Sequence, residues 1–215
     1  MTIPVLSILG FVAFALIHSV LARRNVKGYL FEKLPVLSAF YRIIYVAVAV
    51  ITLLLWWWLI PIPDMQTTLY KASSPVYWLL RIVQVAALYG FIKALRNSGT
   101  GTFLGIRQVK TYMTHGTLPD DYDEYSSESL HKKGSYKYMR HPLYTYSILL
   151  MAANPVMSLR WAYLTAIFFL YFWLGSYFEE KGLIRKFGDA YRKYQEQVPR
   201  FIPRLKSLKK LFTRR

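Results

Sequence analysis

The sequence predicts an all-α, polytopic membrane protein with about five transmembrane helices. Apolar residues make up 54% of the 215 positions and aromatic residues 17%, and the mean hydropathy is +0.23. The apolar residues also occur in long runs, and a helix needs about 20 of them to cross the hydrocarbon core of a bilayer. Five runs approach that length. The predicted spans are residues 3–22, 40–60, 75–95, 141–157 and 159–178.

The first run is predicted to remain as a spanning helix. No basic segment precedes it, and Arg23 and Arg24 follow it where a cleavable signal would have small residues. Lys and Arg concentrate in the loop after this span and in residues 96–140, whereas the loop between the second and third spans holds only Lys71. The positive-inside rule therefore predicts an outside N-terminus and a cytoplasmic C-terminus.

The formal net charge of +17 is interpreted as membrane-directed rather than as a sign of nucleic-acid binding. In a chain with several spans, basic loops set the topology and lie against anionic lipid headgroups, so membrane lipids are the expected partners and nucleic acid is not. The chain has no cysteine, which excludes disulfides, thiolate metal sites and a cysteine nucleophile. No metal site is predicted.

Composition divides the chain into four parts. Residues 1–98 form an N-terminal three-helix membrane part, and residues 99–133 form a cytoplasmic loop whose polar stretch "TLPDDYDEYSSESLHKK" indicates mobility. Residues 134–203 form a helical hairpin with a tail helix, and residues 204–215 form a basic tail.

The fourth and fifth spans are predicted to be antiparallel neighbours, because only "NPVMSLR" separates them. Such a hairpin brings Arg140 and His141, at the start of one span, to the same edge as Glu179 and Glu180, at the end of the other. Pro142 suits the first turn of a helix, where the amides have no partners in any case. The simpler alternative is that Arg140 and His141 form a basic anchor at the membrane surface.

The segment "EEKGLIRKFGDAYRKYQEQVPRFIP" is predicted to continue as a helix to about Gln197, where Pro199 ends it. Its apolar face begins with a carboxylate, and the residues at helical spacing are Glu180, Ile184, Phe187, Tyr191, Tyr194 and Val198. If this face packs, Glu180 becomes partly desolvated and needs a cationic or hydrogen-bonding partner. An amphipathic helix lying on the membrane is the alternative.

The elements "GSYKYMRHPLY", "NP", "EE" and "FGDAYRKYQEQVPRFIP" together resemble the C-terminal signature of integral-membrane methyltransferases that use S-adenosylmethionine, such as isoprenylcysteine carboxyl methyltransferases and phospholipid methyltransferases. The resemblance covers residues 134–203 and implies a cofactor pocket closed by the tail helix. The cofactor-binding residues that it implies are Tyr136, Arg140, His141, Tyr144, Glu179, Glu180, Tyr191, Tyr194 and Arg200. Tyr146 stands where the family motif usually has glycine, which is expected to narrow the pocket or move its wall.

Two N-terminal stretches, "FALIHSVLARRNVKGYL" and "GTGTFLGIRQV", resemble bacterial methanethiol S-methyltransferases. The first is also similar to NnrU-type membrane proteins and carotene isomerases. The glycines of the second stretch follow a helix rather than a strand, so a phosphate-binding loop is not expected. His18 and Arg107 are the catalytic candidates, because either group can favour an anionic nucleophile by lowering its pKa. For His18, a helix-to-helix hydrogen bond and haem ligation remain alternatives.

The predicted function is methyl transfer from S-adenosylmethionine to a small hydrophobic thiol or a lipid-like acceptor, such as an isoprenylcysteine carboxylate or a phospholipid amine, that enters from the bilayer. The reaction is an in-line displacement, which a dry site accelerates by proximity and orientation. The expected location is a bacterial inner membrane, with the active site facing the cytoplasm. The alternatives are a haem-binding protein related to the NnrU type or the carotene isomerases, and a membrane interaction protein without catalysis.

Overall fold

The computed structural model describes residues 3–59, 67–118, 130 and 132–204 of the chain. It confirms an all-α membrane protein and adds one short two-stranded sheet to the prediction. The helices are α1 Ile3–Ala22, α2 Arg24–Lys33, α3 Leu37–Leu59, α4 Ser74–Asn97, α5 Thr100–Leu104, α6 Ile106–His115, α7 Pro142–Ala152, α8 Leu159–Phe187 and α9 Asp189–Gln197, and the strands are β1 Thr68–Lys71 and β2 Val156–Ser158. A single 3-10 turn, Gly134–Lys137, precedes α7.

The described residues group into two compact units. Unit 1 contains residues 3–59 and 99–118, and unit 2 contains residues 67–98, 130 and 132–204. Within unit 2, α4 packs against α7. The predicted division of the chain at residue 98 stays a prediction. The segment predicted as a loop from residue 99 contains α5 and α6. Most of "TLPDDYDEYSSESLHKK" and the tail after Arg204 lie outside the described residues, so their predicted roles stay predictions.

Four helices in the described part of the chain are long and apolar enough to cross a membrane, and each unit contributes two. They are α1, α3, α4 and α8. The span predicted at residues 141–157 is wrong as a full helix, because α7 ends at Ala152 after 11 residues. The cause is the Asn154–Pro155 pair, since proline disfavours helical backbone at the residue before it.

Unit 1 is built on two antiparallel helices, α1 and α3. The indole of Trp56 donates to the carbonyl of Ser7 at 2.9 Å, and the hydroxyl of Tyr41 donates to the carbonyl of Leu21 at 2.7 Å. These bonds join opposite ends of the two helices. The turn between α5 and α6 lies against α3, because a Cβ on Gly105 would meet the amide nitrogen of Ile43 at 2.5 Å. Only glycine fits there, with φ at +85°.

Unit 2 places α7 between α4 and α8. The segments before and after α7 contact the two ends of the α4 region: Tyr136, before α7, shares a 2.8 Å hydrogen bond with Ser98, and the amide of Ala72, before α4, donates at 2.9 Å to the carbonyl of Pro155, after α7. Strands β1 and β2 pair antiparallel beside that second end. The sheet was not predicted, because strands of three and four residues leave no periodic signal.

The helix predicted to continue from the fifth span to about Gln197 is divided in two. The fifth span was predicted to end at Phe178 with the helix continuing beyond it, and α8 does continue but ends at Phe187. Gly188 then breaks the helix with φ at +53°, a conformation that favours glycine. The prediction of one continuous helical stripe is therefore wrong. Its apolar members still meet across the break, because Tyr191, Tyr194 and Val198 form a buried cluster with Leu183, and Ile184 and Phe187 pack against that cluster.

Tyr146, which replaces the glycine usual in the resembling family, faces α4 in this structure. A Cβ on Gly90 would meet Cε1 of the Tyr146 ring at 2.5 Å, so the ring lies directly on the backbone of α4. Gly90, Ala87 and Ala94 form a buried small-residue stripe on that helix. The large residue on α7 is thus accommodated by a missing side chain on α4. Whether Tyr146 affects a cofactor stays a prediction.

Gly90→Ala is expected to destabilise the protein by about 1–3 kcal/mol, because the added methyl group overlaps the Tyr146 ring. Thermal unfolding in detergent measures this change. Gly175→Ala in α8 is the matched control, since no atom lies within 4 Å of its added Cβ, and it should leave stability unchanged or raise it. In a Tyr146→Ala background, Gly90→Ala should lose most of its cost. An undiminished cost in that background would contradict the packing.

Candidate functional site

The centre of the site is the carboxylate of Glu180, which is 2% exposed and fully engaged by donors. Its Oε1 accepts from Nε of Arg140 at 2.7 Å and from Nε2 of His141 at 3.0 Å. Its Oε2 accepts from three side chains at 2.9 to 3.1 Å: Arg140 Nη2, Gln195 Nε2 and Arg200 Nη2. A carboxylate offers about four lone-pair sites, so five donors leave none open.

The chain after α9 holds this cluster together. Nη1 of Arg140 donates to the carbonyl of Val198. The backbone amides of Arg140 and His141 donate to the carbonyls of Pro199 and Arg200, both at 3.0 Å. Residues 198–200 therefore lie along the start of α7 and bring Arg200 to Glu180. The predicted juxtaposition of Arg140 and His141 with the carboxylates of α8 is present, and a segment distant in sequence completes it.

His141 is buried and positively charged at neutral pH. Burial lowers the pKa of its imidazole, but the hydrogen bonds to Glu179 and Glu180 and the negative charges of these two residues outweigh burial and raise the pKa to about 9. Its Nδ1 lies 3.5 Å from Oε2 of Glu179, and its Nε2 lies 3.0 Å from Oε1 of Glu180. The imidazolium thus bridges the two carboxylates.

The raised pKa of His141 predicts a stability that falls in alkaline solution. The native state binds the proton more tightly than the unfolded chain, so its contribution is complete below about pH 6.5 and is lost as the pH rises to about 9. The loss is on the order of 3 kcal/mol. Unfolding midpoints in detergent, measured from pH 6 to 10, should therefore fall more steeply for the wild type than for His141→Gln. Parallel curves would contradict the assignment.

Glu179 differs from Glu180 in having an open side. Its side chain is 33% exposed, and its Oε2 accepts from the hydroxyl of Tyr144 at 3.0 Å. The Tyr144 ring is stacked between His141 and Phe172, with centroid distances of 5.4 and 4.6 Å and nearly parallel planes. A carboxylate with unused lone pairs thus lies beside a wall of stacked rings. Such a surface suits a ligand that is both cationic and polar.

The three other tyrosines predicted to contact a cofactor have structural partners. Tyr191 and Tyr194 are 1% and 4% exposed, and burial raises the pKa of both hydroxyls well above the usual range. Tyr194 donates to the carbonyl of Tyr136 at 2.6 Å, and the hydroxyl of Tyr136 shares its hydrogen bond with Ser98. Tyr191 and Tyr194 thus belong to the buried packing of unit 2. Direct contact with a cofactor stays a prediction for all three tyrosines.

The two catalytic candidates lie in unit 1. His18 is on α1, and its Nε2 shares a 2.6 Å hydrogen bond with the hydroxyl of Tyr45 on α3. This contact agrees with the helix-to-helix alternative. Arg107 is exposed in the first turn of α6, next to the buried Gln108, whose amide donates to the carbonyl of Thr102 at 2.9 Å. The catalytic roles of His18 and Arg107 stay predictions.

Sequence reasoning missed three members of the unit 2 site. Gln195 donates to Glu180, Phe172 stacks on Tyr144, and Phe201 lies 5.9 Å from the His141 ring. Gln195 lies four residues after the buried Tyr191 on α9, so helical spacing offered a signal for it. Phe172 lies two turns before Glu179 on α8, at spacing seven. Phe201 follows a proline outside any helix, where periodicity carries no information.

The fold and this cluster define an α-helical membrane protein with a buried arginine, histidine and carboxylate centre at the end of two packed helices. Residues 74–190, more than half of the chain, match the family described as phospholipid methyltransferase. The chain therefore belongs to the phospholipid methyltransferase family, and it is a methyltransferase. The predicted resemblance is confirmed. The matched region includes α4, α7 and α8 of unit 2 and ends before Tyr191 and before residues 198–200, which lie along the start of α7.

Curated relatives extend the similarity to most of the chain. Methanethiol S-methyltransferase 2 of Bradyrhizobium diazoefficiens is 33% identical over 89% of this chain and 70% of its own length. Methanethiol S-methyltransferase 1 of the same organism is 27% identical over 93% of this chain and 66% of its own length. The methanethiol S-methyltransferase of Crocosphaera subtropica is 28% identical over 88% and 71%. The chain thus spans about two thirds of the length of these relatives. No solved structure matches.

Proposed function

We propose that the chain transfers the methyl group of S-adenosylmethionine to a small hydrophobic thiol, with the cofactor held at the open side of the unit 2 cluster. The observation that carries this proposal is the unequal state of the two carboxylates. Glu180 is closed by five donors, whereas Glu179, its neighbour, is one-third exposed beside aromatic rings. Glu180 thus stabilises the protein's own structure, whereas the carboxylate of Glu179 remains accessible to a ligand.

The residues around Glu179 fit the polar and cationic parts of such a cofactor. Glu179 would accept hydrogen bonds from an ammonium group or ribose hydroxyls. Arg200, with 29% of its side chain exposed, would meet a carboxylate. The faces of Tyr144 and Phe172 would stabilise a sulfonium. The bound cofactor supplies an activated methyl group for in-line displacement, while these residues orient it and exclude water.

His141 has an orienting role in this proposal rather than a proton-transfer role. With a pKa of about 9 and both ring nitrogens facing carboxylates, it stays charged at neutral pH. It therefore fixes the position of the Glu179 carboxylate through the contact at its Nδ1. A shift of Glu179 by a fraction of an ångström would misplace the ligand that it holds, and positioning errors of that size are costly in a displacement reaction.

The names of the relatives favour a small thiol as the acceptor, and the family name keeps a lipid-like acceptor as the alternative. The comparisons lend no support to the haem-binding alternative, and His18 already shares its Nε2 with Tyr45. Basic residues at the Glu180 end of unit 2 support placing this end in the cytoplasm, and the relatives support a bacterial inner membrane.

Calorimetric titration of the detergent-purified chain with S-adenosylmethionine tests the proposal. Wild type should bind at micromolar concentration, and Glu179→Gln should weaken binding by a factor of about ten to a hundred while it remains folded at the temperature of the titration. Glu196→Gln on α9 is the control, because it removes the same charge from an exposed position. A folded wild-type protein that does not bind would reject the proposal.

An assay that follows transfer of a labelled methyl group identifies the acceptor. Methanethiol, an isoprenylated cysteine and phosphatidylethanolamine would each be supplied at saturating cofactor. Turnover with methanethiol above the other two is the expected result. Turnover with phosphatidylethanolamine or the isoprenylated cysteine, and none with methanethiol, would support the methyltransferase activity but reject a thiol as its acceptor.

A further inference from the structure

Unit 1 contains a second cluster of polar side chains, which the family match does not cover. His18 on α1 and Tyr45 on α3 share a 2.6 Å hydrogen bond, and the Arg42 guanidinium carbon lies 5.6 Å from the centre of the Tyr45 ring. Both helices are candidate spans, and all three residues lie within a few turns of the ends that α2 connects. Polar and charged groups are costly in such segments unless they have a function or a partner.

Arg42 is held in place but only partly used. Its Nε donates to the carbonyl of Phe103 at 2.8 Å, and the guanidinium lies 5.1 Å from the Phe103 ring centre. Within the described part of unit 1, its Nη1 and Nη2 groups have no hydrogen-bond acceptor. Glu32 is the acidic residue among these described positions, and it is exposed on α2 without an ion pair to Arg42. The Nη1 and Nη2 groups of Arg42 thus offer a positive charge and hydrogen-bond donors to an anion. The described part of unit 1 supplies no such anion.

We propose that Arg42, Tyr45 and His18 bind and ionise the acceptor thiol. This inference rests on the proposed function and specifies its nucleophile. A thiolate is a single negative charge on a soft, weakly hydrated atom, and a guanidinium beside aromatic rings favours it over the neutral thiol. Phe103 and Phe14, whose ring stacks on His18 at 5.8 Å, supply apolar surface for a small hydrocarbon substituent. The site therefore suits a small hydrophobic thiol.

The hydrogen bond between Tyr45 and His18 provides a route for the proton. With His18 in the tautomer that carries hydrogen on Nδ1, its Nε2 accepts from the Tyr45 hydroxyl. As the thiol S–H bond breaks, its proton passes to the Tyr45 oxygen and the Tyr45 proton passes to Nε2. The electron pair remains on sulfur, Tyr45 is regenerated, and His18 becomes an imidazolium that later releases the proton to water.

Two positive groups next to one another are tolerated only with an anion between them. Arg42 and His18 both contact the Tyr45 ring. A protonated His18 and Arg42 therefore repel one another, and a thiolate bound between them offsets that repulsion. Thiol binding and proton transfer are thus coupled, which predicts that ionisation of the bound thiol depends on Arg42.

The test uses thiophenol, whose thiolate has its own absorbance, titrated into the detergent-purified full chain without cofactor. Wild type should bind thiophenol and lower its apparent pKa relative to detergent solution. Arg42→Gln should weaken binding about tenfold and abolish the shift, which corresponds to about one pKa unit. Tyr45→Phe keeps the ring under Arg42 and should retain thiolate binding, but kcat/KM for the thiol should fall by a factor of about ten to a hundred.

Two further variants separate charge from structure. Arg42→Lys keeps the charge and loses the bond to the Phe103 carbonyl, so it should retain most of the shift. Lys110→Gln removes an exposed charge from α6 in the same unit and should behave as wild type. Wild-type thiophenol titration in Arg42→Gln, or no shift in the wild type, would overturn the inference. Since this assay contains no cofactor, its result stands apart from the S-adenosylmethionine titration that tests the proposed function.

Discussion

Glu180→Gln is expected to lose S-adenosylmethionine binding completely and to lower stability by about 3–5 kcal/mol, the cost of removing one partner from a buried ion cluster. The glutamine amide would present hydrogens to Gln195 and Arg200, or to Arg140 and His141, where the carboxylate oxygens now accept. At least two buried donors would lose their acceptor. The uncompensated charge of Arg140, which lies against the tail, is the largest part of the loss.

Thermal unfolding in detergent and calorimetric titration, measured on the same samples, check this expectation. Glu179→Gln is the matched comparison, because it makes the same chemical change one residue away. It should lower the unfolding temperature far less than Glu180→Gln does, since its side chain is one-third exposed, and its main effect should be a loss of affinity. The comparison of the two stability losses is therefore diagnostic. A Glu180→Gln protein as stable as Glu179→Gln would show that the donors around Glu180 do not form a structural centre.

Arg140→Lys is expected to destabilise the protein on the order of 3 kcal/mol although it preserves the charge. The guanidinium makes a two-pronged contact with Glu180 and also donates to the carbonyls of Gln195 and Val198. A lysine ammonium is a compact point charge, so it cannot donate hydrogen bonds to the carboxylate on one side and to two carbonyls on the other. Residues 198–200 would lose this attachment to the start of α7, and cofactor affinity would fall as a result.

Arg200→Lys provides the control for this substitution. Arg200 meets Glu180 through one nitrogen at 3.1 Å and is 29% exposed, so a lysine can reach the same oxygen and solvent covers the difference. Its loss in stability should stay below about 1 kcal/mol. Equal losses for Arg140→Lys and Arg200→Lys would mean that charge alone, rather than the planar fork, holds the cluster.

The unequal carboxylates also explain why residue type alone was insufficient to assign roles. The pair Glu179 and Glu180 was predicted to bind the cofactor as a unit. Consecutive residues on a helix point about 100° apart, so one faces the tail and the other faces the open side. The sequence shows two adjacent acidic residues, but the direction of each depends on where α7 and the tail pack.

Much of the membrane architecture was predictable from hydropathy. Three of the five predicted spans, those corresponding to α1, α3 and α4, begin and end within a few residues of the observed helices, because long apolar runs have one stable arrangement in a bilayer. The fourth was wrong in length, since Asn154 and Pro155 end α7 and the chain continues extended into β2. Composition cannot distinguish a short helix with an extended continuation from one longer helix.

The sequence by itself determined the class of the protein: an α-helical membrane protein with a methyltransferase signature at Arg140, His141 and the acidic pair. These features are local, since hydropathy and short motifs depend on neighbouring residues. Only the tertiary structure decided that Glu180 is closed, that Glu179 is open, and that Arg42 joins His18 and Tyr45. Such contacts join residues tens of positions apart, and their geometry depends on helix packing and on where helices end. The sequence specifies the chemical type of each side chain, but helix packing determines where that side chain points and which groups it contacts.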